Sequence, residues 1–153
     1  MIAIAVWARA IGLARSGNPD ATGPEIQRLR QLEQQLRNSA TESGEYWADQ
    51  VGILSLEASA WTAQAEGRAS EARNLLQKAA DEEDATEKLP VTPGPIVPAR
   101  EQFADLLLQQ NHADLAAKEY RIALSNAPNR RGAVAGLTIA SETLAKRASK
   151  TRP

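Results

Sequence analysis

Gly67-Arg68-Ala69-Ser70-Glu71-Ala72-Arg73-Asn74-Leu75-Leu76-Gln77-Lys78-Ala79 and Asn111-His112-Ala113-Asp114-Leu115-Ala116-Ala117-Lys118-Glu119-Tyr120-Arg121-Ile122-Ala123 are two versions of one pattern. A turn residue opens each stretch. Ala72 and Ala79 then match Ala116 and Ala123, and Leu76 matches Tyr120. Small residues seven apart, with a larger apolar one four places after the first, lie on one face of an α-helix. A face of alanines lets a second helix come close, because the side chains at the contact set the spacing between helices. One helix earlier, Ala60 matches Ala104, and Ala10, Leu13 and Gly17 match Ala60, Ala63 and Gly67. Self-similarity at a steady interval is the mark of a repeat architecture.

Working outward, breaking signals fall at Ser16-Gly17-Asn18-Pro19, Thr22-Gly23-Pro24, Ser43-Gly44, Gly67, the proline-rich run 90–98 and Ala127-Pro128-Asn129. Between them the spacing predicts seven helices, over 2–16, 24–39, 43–66, 69–88, 98–110, 113–126 and 130–147. Thr22 or Gly23 is expected to cap the second helix, with Pro24 at its first position, and Asn129 to cap the last. Gly67 suits the left-handed turn that closes the third helix. Tyr46, Ile53, Leu56, Ala60 and Ala63 recur at helical spacing, so Val51-Gly52-Ile53-Leu54 reads as helix although it resembles a short strand.

Composition narrows the class. The 153 residues carry a net charge of −1, without the basic excess of a nucleic-acid binder. Good helix formers dominate, and aromatic and β-branched residues are few, which argues against a sheet. There is no cysteine, which excludes disulfide and thiolate chemistry. Residues 1–13 are apolar, but no basic residue precedes the apolar stretch and Arg9 interrupts it. That is a poor signal peptide, and no run approaches the roughly 20 apolar residues of a membrane span. A cytoplasmic location is favoured.

The order of features resembles the tetratricopeptide repeat: a small residue in a first helix, a tight turn, then alanine, a large apolar residue and alanine in a second helix, closed by a proline such as Pro128. From Gly67 to Asn111 is 44 residues, against the family's usual 34. The insert 89–98 accounts for the excess. The stretch from Ala85 through Pro90-Val91-Thr92-Pro93-Gly94-Pro95 to Pro98-Ala99-Arg100-Glu101 also resembles a segment of bacterial tetratricopeptide proteins. The resemblance implies one all-α domain over 1–153, with antiparallel helix pairs stacked as a right-handed superhelix. Its repeats would cover about 2–39, 43–88 and 98–128, with a half repeat at 129–147. It further implies a concave face lined by the first helix of each pair: Trp7 and Ile11, Glu57 and Trp61, Glu101 and Asp105, Ala135 and Ile139. The basic clamp that some relatives use for a terminal carboxylate is lacking. The implied function is therefore non-enzymatic binding of a partner protein, or of a basic or amphipathic peptide, with a scaffold piece of a longer array as the alternative. Met1 opens an apolar helix without a cap and the last helix lacks a partner. The chain thus reads as the C-terminal part of a longer array, or as one that self-associates through Ile2, Ile4, Val6 and Ile11.

Other candidates have bland readings beside the sharp ones. His112, the single histidine, falls in a predicted turn with no nucleophile pattern near it, so a solvent-exposed turn residue outweighs catalysis. Asp81-Glu82-Glu83-Asp84 with Glu87 is a solvated face or an acidic patch, because consecutive helical residues point in different directions. Trp47 and Trp61, fourteen residues apart, share a face and serve either the core or a groove. Val91, Ile96 and Val97 of the insert either pack across the helices or meet a ligand. No phosphate loop, GxSxG or HExxH pattern occurs, and neither a metal nor a cofactor is expected.

Overall fold

A computed structural model describes residues 2–39, 41–87 and 94–150. Those residues form seven α-helices and no strand: α1 Ile2–Arg15, α2 Gly23–Arg37, α3 Glu42–Ala65, α4 Ala69–Ala85, α5 Ala99–Gln109, α6 Ala113–Asn126 and α7 Arg131–Lys150. A short 3-10 helix, Pro19–Thr22, joins α1 to α2. The chain divides into two compact units, Met1–Thr86 and Glu87–Pro153. In the first, α1 packs on α2 and α3, α2 on α3, and α3 on α4. In the second, α5 and α7 both pack on α6 and touch each other.

Three turns share one construction. Gly17, Gly67 and Asn111 all stand in the left-handed region, at φ 85°, 80° and 64°. In each, the next amide donates back five residues: Asn18 to the Leu13 carbonyl at 3.0 Å, Arg68 to Ala63 and His112 to Leu107 at 2.8 Å. This is the helix-ending motif that glycine favours and asparagine tolerates, and it satisfies carbonyls the helix would leave orphaned. The residue after each turn glycine or asparagine also repeats, with φ/ψ of −118°/53° at Asn18, −83°/61° at Arg68 and −94°/60° at His112. A side chain at 67 meets no neighbour, so only the backbone resists it. Gly67→Ala is therefore expected to cost about 1–2 kcal/mol, while Asn111→Gly stays within about 1 kcal/mol of the parent. Urea midpoints at constant m-value check both.

The matched alanines face inward. Ala10, Ala60, Ala72, Ala79, Ala104, Ala116 and Ala123 are all buried, as are Leu76 and Tyr120. Burial of the larger side chains drives the packing, at about 25 cal/mol per Å², and the alanines let it be close. In the first unit Trp7, Ala10, Leu29, Val51 and Ala58 form a core, with Val6, Ile11, Ile26 and Leu54 packed against it.

The helix ends depart from the sequence reading in three places. Thr22 does not cap α2. It lies inside the 3-10 helix with its hydroxyl buried, donating to the Pro19 carbonyl at 2.6 Å and accepting from Thr62 of α3 at 3.0 Å. Asn129 does not cap α7 either; it adopts φ 65° two residues before the helix begins. Thr41 does act as a cap, its hydroxyl accepting from the Gly44 amide at 3.0 Å. Gly44 is required there, because a Cβ would press on the Leu36 carbonyl and the Thr41 hydroxyl, both at 2.8 Å. Helix α4 stops at Ala85 rather than 88, where Thr86 turns extended and its hydroxyl bonds the Glu82 carbonyl at 2.8 Å.

Candidate interaction surface

The eight residues expected to line a concave face divide by exposure. In the first unit Trp7, Glu57 and Trp61 are buried and Ile11 is half-buried. Trp7 belongs to the core and Ile11 packs against it. Trp61 is 3% exposed, and the Arg15 guanidinium lies over its ring, 4.8 Å from the centroid. Helix α1 packs directly on α3, and Trp7 shares its core with Val51 and Ala58 of that helix. In the second unit Glu101 is buried, Asp105 half-buried and Ile139 53% exposed. Ala135 beside Ile139 is exposed too.

The second unit carries a polar cluster around those positions. The Glu101 carboxylate accepts from Arg130 Nε, just ahead of α7. Arg130 Nη2 also donates to the Ile96 carbonyl at 2.6 Å. Arg100 pairs with Glu119 of α6 at 2.9 Å, both largely buried. Tyr120 donates its phenol hydrogen to Asp105. Burial, then that hydrogen bond and the charges of Asp105 and Glu101, raise the Tyr120 pKa well above its ordinary value. The phenol stays protonated at any physiological pH and keeps its hydrogen directed at Asp105.

The largest exposed apolar side chains of the second unit lie on its helices and on the segment before α5. Val134 (46% exposed) and Ile139 lie on α7, Leu115 and Ile122 on α6, and Ile96 on the segment before α5. The buried side of α7 is Ala133, Gly136 and Ala140. Its exposed charges are mostly positive: Arg131, Lys146, Arg147 and Lys150 against Glu142.

The remaining candidates are spread over both units. His112 is half-buried at the head of α6, in the turn where it was placed but not fully in solvent. In the acidic run Asp81, Glu82 and Asp84 are exposed while Glu83 is buried. Among the described residues no three histidine or acidic side chains gather as a metal ion needs. Trp47 does not share the burial of Trp61: it is 42% exposed, edge-on to Tyr46 with centroids 5.1 Å apart. Helix α4 has 17 residues against 24 in α3, and running back from its start near the α3 end it finishes short of Trp47. Ile96 does not pack across the helices, being 61% exposed; Val97 is half-buried, and Val91 lies outside the described residues. For self-association Ile2 and Ile4 are exposed, whereas Val6 and Ile11 pack on the core. No described helix is long and apolar enough to cross a membrane.

Sequence reasoning missed Arg130 and Gly136. Nothing local marks Arg130, whose partners lie 29 and 34 residues away. Gly136 did leave a signal. A glycine inside an alanine-rich helix often marks close approach, and a Cβ there would collide with the Tyr120 ring at its Cζ. Comparison with protein-family models, curated proteins and solved structures finds no match for this chain.

Proposed function

We propose that the chain is a protein-interaction module of stacked helix hairpins, wound as a right-handed superhelix of the tetratricopeptide kind. What supports this architecture is the triple recurrence of one turn geometry and the burial of the matched alanines. What supports binding is a single observation: α7 presents Ile139 and Val134 to solvent while its small residues face α6 and α5. Exposed aliphatic side chains on an ordered helix are contacts an amphipathic segment can use. The carboxylates that would attract a basic segment, Glu57 and Glu101, are buried, and Glu101 is paired with Arg130. Recognition therefore rests on apolar contact, and the partner is amphipathic.

A second reading, a scaffold piece with no ligand of its own, is favoured by the burial of Trp7, Glu57, Trp61 and Glu101. Selection from a displayed library of helical peptides separates the two. The parent is expected to enrich an amphipathic family that binds Val134→Asp/Ile139→Asp at least tenfold more weakly, about 1.4 kcal/mol. No enrichment, or equal binding to the variant, supports the scaffold instead. Because both side chains are exposed, the variant should keep the parent's helical content.

A further inference from the structure

Residues 94–98 lead into α5 with little apolar burial. Gly94 and Ile96 are exposed, and Pro95, Val97 and Pro98 are half-buried. Two polar side chains grip the backbone instead. Arg130 Nη2 donates to the Ile96 carbonyl at 2.6 Å, and Gln102 Nε2 donates to the Val97 carbonyl at 3.1 Å. The grip is built, not incidental. Gln102 is buried, and Arg130 is oriented by the Glu101 carboxylate on its Nε. Gly132 leaves the space that carboxylate occupies, since a Cβ there would collide with it. A guanidinium suits this task because its rigid fork reaches two acceptors at once.

We propose that residues 94–98 are a strap that opens as a local unit, fastened across the second unit by Arg130 and Gln102 while α5, α6 and α7 stay folded. A segment held by polar contacts and not by packed side chains belongs to the low-stability end of a structure. Helices α5, α6 and α7 have buried residues of their own, among them Phe103, Leu106, Tyr120 and Ala133. Opening would separate Arg130 Nη2 and Gln102 Nε2 from the Ile96 and Val97 carbonyls at the first turn of α5. Peptide carbonyls are the chemistry those two donors already hold. The inference does not need the binding role of α7, and its test uses no ligand, so the two fail separately.

The test is backbone ¹⁵N relaxation on the whole chain. In the parent, the Gly94, Ile96 and Val97 amides should show order parameters near the rigid value of about 0.85, and in Arg130→Gln they should fall below about 0.6. The amides of α5–α7 should not change. Arg130→Lys should fall between, since one ammonium replaces a fork. Gln102→Met, close in volume, should free Val97 more than Ile96. The proposal is overturned if the strap is equally ordered in parent and Arg130→Gln, if it is already mobile in the parent, or if α5–α7 loosen with it.

Discussion

Trp61→Ala is expected to destabilise the first unit by about 3–5 kcal/mol, the range for removing a large aromatic from a packed interior. At 3% exposure the ring has no solvent to retreat to, and alanine leaves a cavity that α3 cannot close. The Arg15 guanidinium also loses the face it rests on. In a unit of this size each kcal/mol lowers the midpoint by about 4–8 °C, so most of the helix signal from α1–α4 should melt at or near physiological temperature. Circular dichroism during heating and urea titration measures it. Trp47→Ala is the matched control: its ring is 42% exposed and should cost less than about 1 kcal/mol. Near-equal, small losses from both would mean that Trp61 works at a surface and would restore it to a groove.

The second large effect is steric. Gly136→Ala should cost the second unit about 1–3 kcal/mol, although alanine is the better helix former by about 1 kcal/mol. The three atoms nearest an added Cβ all belong to Tyr120, and that ring cannot swing away. It is 1% exposed, and its hydroxyl is committed to Asp105. Tyr120→Leu removes the obstacle, so the pair should show a favourable interaction energy of about 0.5–3 kcal/mol in a double-mutant cycle. Strict additivity would mean that Gly136 and Tyr120 do not meet.

How much of this was legible follows from which forces are local. The helices and the three turns depend on residues within six positions of each other, and Gly17, Gly67 and Asn111 announce them. The inward alanines are equally readable, because a buried face imposes its period on the sequence. What the sequence hides is set by pairs distant along the chain. Thr22 looks like a cap until Thr62, 40 residues on, provides a buried hydroxyl partner. Trp7, Glu57 and Trp61 look like groove residues until α1 lies against α3. Glu101 looks like an open acid until Arg130 arrives. The surface suffers most: it is defined by what fails to cover it, and no spacing rule reports that.

The tryptophans have an optical consequence. All three, Trp7, Trp47 and Trp61, belong to Met1–Thr86, and Glu87–Pro153 holds none. Emission excited at the red edge of indole absorption therefore reports on one half of the molecule only, with Trp47 as the ring open to a quencher and Trp7 and Trp61 shielded. A spectrometer can follow that half unfolding without labels.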